Sequence, residues 1–291
     1  MTVLVPRSID EALERLAANP TATLLAGGTD VLVEVNEGHR RFAWRDGDTD
    51  VIALTQVPEL STWTLDPAAR SVTLGAAVTF AEVEREPLRS MLPALAEAAR
   101  TVGSPQIRNA ATVGGNLATC SPAGDGLPVF AALDARVNLV APSGRRTLPV
   151  GEFMRGVKQT ALAPGDMIES ITLELLDGWQ GYSKVGVRNA MVIATASACL
   201  AADVTTQSLR LALGSVAPTI IRCPEAETYA TTAVDWGART VAADVARRFG
   251  ELAAAASRPI DDHRSTAAYR RHAIAVMSTR LLQRAFQGDA A

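Results

Sequence analysis

The sequence is poor in aromatic residues and in excess charge, and each shortage excludes a class of protein. Phenylalanine, tryptophan and tyrosine make up 4% of the 291 residues, so we expect a core of small aliphatic side chains. Because 28 basic residues stand against 31 acidic ones, the net charge of −3 provides no electrostatic footprint for nucleic acid. With 48% hydrophobic and 20% charged residues, the chain can bury a large core, which excludes disorder.

Cysteine and long apolar runs are also scarce. Cys120, Cys199 and Cys223 form no CxxC pair, which argues against a disulfide framework, a structural zinc site and a Cys-ligated iron–sulfur cluster. The longest apolar run, residues 191–202, is too short to span a bilayer. The first residues lack the basic region and apolar stretch of a signal peptide. We therefore expect a cytoplasmic protein without a membrane partner.

Helix and strand patterns alternate in the first half of the chain. Ser8 and Glu11 have the spacing of a capping box at the start of a helix. Short apolar runs predict strands at Thr23–Ala26, Val51–Leu54 and Val72–Leu74. Residues 102–128 are rich in Gly, Ser, Thr, Asn and Pro and show no convincing periodicity. A loop of this length in a compact domain is usually functional.

The second half predicts a separate sheet with helices. Strand patterns at 136–140 and 167–175 are followed by a boundary near residues 176–181. Three strand-like segments and two amphipathic helices come after it, at Tyr182–Val187, Val192–Ala202 and Leu209–Val216, and near Val245 and Ile274. This order predicts an α+β domain, with an antiparallel sheet and helices on one side.

A first candidate site lies where the strand ending at Ala26 runs into Gly27 and Gly28. Paired glycines allow positive φ and close approach of a ligand to the backbone. The N–H groups after the strand can then face an anion. Thr29 adds a hydroxyl donor, and Asp30 could cap the next element. An ordinary strand-to-helix turn is the alternative.

A second candidate site follows Thr112, where Gly114 and Gly115 precede a dense supply of polar side chains ending at Asp125. A dinucleotide needs such donors for its pyrophosphate, an acceptor for sugar hydroxyls and apolar surfaces for its rings. A surface loop is the alternative. Neither glycine pair fits the nicotinamide-binding G-x-G-x-x-G or the P-loop pattern. Both loops could clasp one extended ligand.

Together, these motifs resemble a known family. Segments 26–30, 108–109, 112–116 and 121–125 are similar to the FAD-binding (medium) subunit of the molybdenum hydroxylases, which include carbon monoxide dehydrogenase and bacterial xanthine dehydrogenase. The resemblance continues through residues 128–135, 144–145, 182–188 and 262–271, so it covers nearly the whole chain.

The resemblance implies a vanillyl-alcohol-oxidase fold, also called PCMH-type, at residues 1–176. Two subdomains, about 1–55 and 56–176, would hold FAD between them. A C-terminal α+β domain of the carbon monoxide dehydrogenase flavoprotein type would follow at 177–291. The flavin would be the only cofactor of this chain, without a metal ligand or a catalytic side chain.

The resemblance also assigns the residues that bind FAD. The first loop, along the pyrophosphate, comprises Leu24, Leu25, Ala26, Gly27, Gly28, Thr29 and Asp30. The second wall comprises Thr112, Gly114, Gly115, Asn116, Thr119 and Ser121, with Val102 at the start of this segment. Asp125 would bond the adenosine ribose or its neighbourhood, and Ile168 would contact the adenine end. Lys184 and Arg188 would lie nearer the isoalloxazine, with Tyr182 over its face.

The chain departs from the family pattern in two segments. Residues 36–50 are longer and more charged than expected, and Asn189–Ile193 lacks the acidic residue often found after the arginine position. The cysteine-bearing insertion of the 4-hydroxybenzoyl-CoA reductase flavin subunits is missing, so no extra iron–sulfur cluster is expected.

Several single residues have competing interpretations. Lys184 and Arg188 would share one face of a strand, where a cation stabilises reduced flavin, or they are two solvated surface charges. Cys120 lies in the predicted site without a partner that would make it a nucleophile. The histidines His39, His263 and His272 lack ligand spacing, and the arginines Arg264, Arg270, Arg271, Arg280 and Arg284 predict a solvated helix face or a subunit contact.

The function implied by the resemblance is electron transfer. A molybdopterin-binding large subunit would oxidise substrate, and a small subunit with [2Fe–2S] clusters would pass the electrons to this FAD. NAD⁺, oxygen or a quinone would then accept them. A free-standing FAD-dependent oxidoreductase acting on a small molecule is the first alternative. A scaffold that has lost FAD and only bridges partners is the second.

Overall fold

The computed structural model describes residues 3–38 and 51–287. The strands are β1 (Val3–Leu4), β2 (Thr23–Leu25), β3 (Val51–Ala53), β4 (Trp63–Asp66), β5 (Ser71–Gly75), β6 (Arg136–Ala141), β7 (Gly144–Pro149), β8 (Met154–Gly156), β9 (Gln159–Thr160), β10 (Met167–Glu174), β11 (Gly178–Val185), β12 (Ala196–Asp203), β13 (Ser208–Gly214) and β14 (Ile221–Arg222). The helices are α1 (Ile9–Ala18), α2 (Val31–Asn36), α3 (Phe80–Val83), α4 (Leu88–Met91), α5 (Pro93–Thr101), α6 (Pro105–Ala110), α7 (Val113–Thr119), α8 (Gly126–Ala132), α9 (Val150–Phe153), α10 (Pro224–Ala233), α11 (Ala243–Ala256) and α12 (Ala267–Ala285). The predicted α+β class is confirmed.

A small parallel sheet in the order β1–β3–β2 begins the fold. The parallel strands β1 and β2 lie on either side of β3, and α1 provides the crossover connection between them. The Glu11 amide donates to Ser8 Oγ at 3.1 Å, which caps α1 as predicted. The reciprocal half of the predicted capping box is wrong, because the Glu11 carboxylate accepts from the Arg7 amide at 2.9 Å instead. The charged stretch within 36–50 lies outside the described residues from position 39 onward.

An antiparallel sheet in the order β4–β5–β10–β6–β7 follows. The strand expected at 167–175 is its central member, β10. The strand expected at 136–140 is β6, which pairs with β7 in an antiparallel hairpin. One core joins the buried side of this sheet to α1, β3 and the helices α3, α4, α5, α7 and α8, with Phe80, Phe130 and Leu95 fully buried. This core fixes the elements from which both glycine loops emerge.

The expectation of an unstructured loop at 102–128 is wrong, because this segment forms α6, α7 and the start of α8. These helices are too short for apolar periodicity to reveal them. Side chains at their starts stabilise them, since Ser104 Oγ accepts from the Ile107 amide and Thr112 Oγ1 accepts from the Gly115 amide. Three of the predicted polar residues therefore lie on helix α7 or at its cap, rather than in a loop.

The C-terminal sheet has the order β11–β12–β13–β14 and is antiparallel. Successive residues of β12 point to opposite faces. Ala198 and Leu200 pack with α10–α12, whereas Cys199 and Ala201 belong to the core shared with α5 and α8. The second face of the sheet is thus covered by helices from the first part of the chain, and the expectation of helices on one side is incomplete.

The two halves of the chain are joined by this packing and by charged side chains. Arg284 on α12 donates to Glu97 on α5 at 2.8 Å, and Arg210 on β13 pairs with Asp134 at 2.7 Å. The predicted boundary after Leu176 falls between β10 and β11, and the division at 177 stays a prediction. Within residues 3–38 and 51–287, no helix is long and apolar enough to cross a membrane.

Candidate functional site

A cleft of about 900 Å³ lies between the two glycine loops. Its size falls in the range of small-molecule and cofactor sites. Sixteen of the predicted site residues line it: Leu24, Leu25, Ala26, Gly27, Gly28, Thr29, Asp30, Val102, Thr112, Gly114, Gly115, Asn116, Thr119, Ser121, Asp125 and Ile168. The fold therefore brings the two predicted loops to one cavity.

The first loop offers backbone donors to the cleft. Gly28 has φ of +71°, which lets the chain turn from β2 into α2. None of the described residues accepts a hydrogen bond from the amides of Gly27–Val31. Several N–H groups of adjacent residues thus lie along one wall of the cleft without a described protein acceptor. Such a group of amides suits an anion.

Gly27 is required for a different reason. A Cβ atom at this position would overlap the carbonyl oxygen of Ala110, at the end of α6. The glycine therefore lets the first loop pack directly on the backbone of α6. Since α6 leads into Thr112, this close approach sets the distance between the two walls of the cleft.

The second wall is built from side chains more than from free amides. The Val113 amide donates to Val78 O at 3.0 Å, and the Gly114 amide donates to Ala76 O at 2.9 Å. The Gly115 amide is bonded to the Thr112 hydroxyl. These bonds anchor the start of α7 on the turn after β5. The amides of Gly114 and Gly115 are therefore already bonded within the protein, which leaves the polar side chains of this wall to face a ligand.

Two side-chain pairs join segments that line the cleft. Thr119 Oγ1 donates to Asp30 Oδ2 at 2.9 Å. Lys158, at the tip of the β8–β9 hairpin, pairs with Glu34 on α2 at 2.6 Å. Lys158 and Glu34 both line the cleft and were not predicted as site residues. The β8–β9 hairpin is local, but Lys158 reaches the cleft through long-range contacts, with its amide donating to Cys120 O at 3.0 Å, and no local motif reveals them.

Asp125 lies at the inner end of the cleft in a buried polar cluster. It accepts from Tyr182 Oη at 2.8 Å and from Lys184 Nζ at 2.8 Å, and Lys184 also donates to Thr101 O. Burial raises the pKa of Asp125, and the Lys184 charge partly opposes that rise. Burial and the neighbouring carboxylate raise the pKa of Tyr182 well above its usual value. Tyr182 is therefore a neutral donor.

Three predicted residues do not line the cleft. Tyr182 is 5% exposed, and both Tyr182 and Lys184 lie behind Asp125. Arg188 is exposed and donates to the carbonyls of Ala190 and Met191. The idea that Lys184 and Arg188 share a strand face is wrong, because β11 ends at Val185.

Apolar residues at the mouth of the cleft were missed by the sequence interpretation. Val33, Ile107, Met191 and Ile193 line the cleft and are each at least 40% exposed. They come from α2, α6 and the segment 186–195 that joins β11 to β12. Large apolar side chains left exposed around a cavity indicate a ligand or partner that covers them. Scattered along the chain, they give no periodic signal.

The other singled-out residues that the structure describes do not line the cleft. Cys120 is buried, and burial raises the pKa of its thiol, so it is a poor nucleophile. His263 and His272 are exposed, and His39 lies outside the described residues. Within the described ranges, no three His, Cys, Asp or Glu side chains form a metal cluster. Arg270 is buried, contrary to the predicted solvated face, whereas Arg264, Arg271, Arg280 and Arg284 are exposed.

Comparison with known proteins identifies the family. A family described as "FAD binding domain in molybdopterin dehydrogenase" matches residues 1–173. The chain belongs to this family. A second family, "CO dehydrogenase flavoprotein C-terminal domain", matches residues 182–285. FAD is thus the cofactor of this molybdenum hydroxylase flavoprotein, whose relatives are subunits of oxidoreductases.

Two individual relatives and one solved structure support this family assignment. The xanthine dehydrogenase FAD-binding subunit of Escherichia coli O157:H7 is 32% identical over 233 residues, covering 78% of this chain and 77% of that protein. The carbon monoxide dehydrogenase medium chain of Hydrogenophaga pseudoflava is 32% identical over 225 residues, covering 75% of each. The solved carbon monoxide dehydrogenase from Hydrogenophaga pseudoflava superposes with a TM-score of 0.85 at 27% identity, covering 99% of this chain and 97% of that one.

The cleft fits FAD by its own chemistry. The amides of Gly27–Val31 suit a diphosphate, because each can donate to an anionic oxygen. Asn116 and Ser121 add polar side chains suited to sugar or ribityl hydroxyls. Ile168 and the exposed apolar side chains at the mouth supply surfaces for the two ring systems. The donors, acceptors and apolar surfaces that a flavin dinucleotide needs are therefore present.

Proposed function

We propose that this chain is the electron-transfer subunit of a molybdopterin-dependent hydroxylase or dehydrogenase. It receives electrons from the [2Fe–2S] clusters of a small partner subunit, which takes them from a molybdopterin-binding large subunit. It delivers them to NAD⁺, oxygen or a quinone. Tyr182, Lys184 and Arg188 do not line the cleft, so we assign them no direct contact with FAD.

The observation that carries the proposal is the pairing of an amide-rich wall with an apolar, open mouth in one cleft. The amides of Gly27–Val31 provide a place for the diphosphate, and the exposed Met191 and Ile193 leave an uncovered apolar edge. An electron carrier needs such an edge, because a partner must bring its redox centre close to the cofactor. Relatives described as medium chains or FAD subunits support partner subunits for this chain.

The residues of this chain bind and orient the cofactor. When bound, FAD supplies the capacity to exchange electrons singly or in pairs. The Asp125 carboxylate is held by Tyr182 and Lys184, so its position at the inner end of the cleft is fixed. The Lys184 charge is balanced by Asp125 at 2.8 Å, which reduces its influence on a nearby flavin.

The absorption spectrum of the purified protein tests the proposal. We expect a flavin spectrum, either as isolated or after FAD is added, and co-purification with an iron–sulfur and a molybdenum subunit upon coexpression with its genomic neighbours. Stopped-flow mixing with NADH then tests NAD⁺ as the acceptor through reverse reduction of the flavin. Turnover of an organic substrate by the isolated chain would instead support a free-standing oxidoreductase.

A further inference from the structure

Ser215, in the turn after β13, connects three parts of the molecule. Its amide donates to Pro122 O at 2.8 Å, and its hydroxyl donates to Ala194 O at 2.9 Å. Its carbonyl accepts from Arg270 Nη1 at 2.8 Å. Ser215 has φ of +62°, an uncommon conformation for a residue with a side chain. All three polar groups of this one residue are therefore used in long-range hydrogen bonds.

Two of these partners belong to segments that line the FAD cleft. Pro122 lies between Ser121 and the Ala123–Asp125 stretch, which lines the inner end of the cleft. Ala194 directly follows Met191–Ile193, which lines the mouth. Ser215 itself is not part of the lining. It thus holds two cofactor-facing segments, which are far apart in the sequence, at a fixed separation.

Arg270, on α12, binds the Ser215 carbonyl and the neighbouring Thr195 carbonyl. Its side chain is 5% exposed, and Nη1 donates to Thr195 O at 2.7 Å as well as to Ser215 O. Nη2 donates to Asp262 Oδ1 at 2.8 Å. Burying a guanidinium is costly unless it is paired and hydrogen-bonded. Here the buried charge is matched by Asp262 and by carbonyls at the ends of two strands.

Thr195 lies at the C-terminal end of the segment 186–195, which joins β11 to β12. The Thr195 amide donates to Val185 O at 2.8 Å, so β11 and β12 meet at the base of this segment. Arg270 holds the carbonyl of the same residue, and the Ser215 hydroxyl holds the Ala194 carbonyl, which shares a peptide group with the Thr195 amide. The exposed apolar residues Met191 and Ile193 project from a segment whose base is immobilised by Ser215 and Arg270.

We propose that Ser215 and Arg270 are positioning residues for FAD. They contact no cofactor and act through Pro122, Ala194 and Thr195, which set the spacing between the inner end and the mouth of the cleft. The inference rests on the assignment of FAD to the cleft. In this role, residues of the C-terminal part of the chain help to set the geometry of a binding site that is formed mainly by the first part.

Three variants of the full chain separate this role from general stabilisation. Ser215→Ala removes only the hydroxyl bond to Ala194 and leaves the carbonyl for Arg270. Arg270→Met removes all three described bonds, and Arg270→Lys keeps the charge with fewer donors. Arg264→Met is the matched control, because Arg264 also pairs with Asp262, at 3.6 Å, but has no bond to Thr195 or Ser215.

The measurements are FAD affinity by flavin fluorescence, visible circular dichroism of bound FAD, and thermal unfolding of the FAD-free protein. We expect Ser215→Ala to raise the Kd for FAD by up to about tenfold, the limit reached if the full free energy of one hydrogen bond is lost from FAD binding, and to change the visible spectrum. Arg270→Met should raise the Kd further, Arg270→Lys should recover part of the loss, and Arg264→Met should match wild type. If Arg270→Met does not fold, the FAD affinities and visible spectra of Ser215→Ala and Arg270→Lys test the proposal.

Two results would overturn the proposal. One is a lower unfolding temperature for Ser215→Ala and Arg270→Lys with unchanged Kd and visible spectrum, which would indicate a purely structural role. The other is an equal change in Kd for Arg264→Met, which would indicate a general effect of Asp262. Wild-type protein that binds no FAD would instead overturn the cofactor assignment itself, and the proposal with it.

Discussion

Thr119 Oγ1 donates a hydrogen bond to Asp30 Oδ2 at 2.9 Å, although the two residues are 89 positions apart. Asp30 precedes α2 but its side chain does not cap that helix. Its carboxylate is instead used to join the first glycine loop to the end of α7. The two walls of the FAD cleft are therefore bonded to each other directly, in addition to being packed on the same core.

Replacing Thr119 by valine should loosen the cleft while leaving the fold intact. The change keeps the side-chain shape but removes the donor, so the Asp30 carboxylate loses its described partner. Because the pair is solvent-accessible, we expect a loss of unfolding free energy below about 1 kcal/mol and a several-fold weaker FAD affinity. Asp30→Asn is the control, since its amide oxygen can still accept from Thr119. FAD affinity equal to wild type in Thr119→Val would show that this bond does not organise the site.

Gly27→Ala should prevent correct assembly of the cleft. The added Cβ would overlap the Ala110 carbonyl, which is backbone and cannot turn aside. We expect a loss of more than about 2 kcal/mol of unfolding free energy together with loss of bound flavin. Gly151→Ala is the matched control, because a Cβ there meets no atom within 4 Å. Flavin content and chemical denaturation measure both effects, and normal flavin content in Gly27→Ala would contradict the packing role.

Substitution of Asp125 should affect both stability and cofactor binding. Asp125→Ala would leave Lys184 as an unpaired buried charge, which costs about 3–5 kcal/mol. Tyr182→Phe removes only one neutral donor and should cost about 1 kcal/mol. A double-mutant cycle of Asp125→Asn and Tyr182→Phe, followed by urea denaturation and FAD titration, measures their coupling. Additive effects would mean that the two side chains do not act as one cluster.

The two loops could be predicted from the sequence because their chemistry is local. Gly27 and Gly28 follow a strand directly, and the polar residues after Gly115 are close together in the chain. Lys158 was not predicted, because its position in the cleft depends on the β8–β9 pairing and on its tertiary contacts. The same limitation applies to Met191 and Ile193, which lie in a segment without periodicity.

Burial of charged residues was the harder property to predict. Arg270 lies among arginines that are exposed, and nothing in its immediate sequence distinguishes it from Arg271. Its burial follows from the meeting of α12 with the ends of β12 and β13, where strand carbonyls need donors. The apolar run at 192–202 was predicted as a strand, which the structure confines to Ala196–Asp203. This strand is buried on both faces because α5 and α8, from the other half of the chain, cover the face opposite α10–α12.

The buried cysteines predict a loss of stability at alkaline pH. Burial raises the pKa of Cys223 from 9.0 to about 12, and it also raises the pKa of Cys199 and Cys120. In the unfolded chain these thiols would release protons near pH 9, whereas in the folded protein they hold their protons to higher pH. The unfolded state therefore binds fewer protons above pH 9, and the free energy of unfolding should fall from about pH 9 toward pH 12.

Urea denaturation between pH 8 and pH 10.5 measures this decline, and Cys223→Ala provides the comparison. Because lysine and tyrosine also titrate in this range, the informative quantity is the difference in slope between the two proteins. Wild type should lose stability more steeply than Cys223→Ala, and native-state alkylation of the thiols at pH 8 should be slow. Equal slopes, or rapid alkylation of the folded protein, would show that the thiol of Cys223 is accessible and titrates as in the unfolded chain.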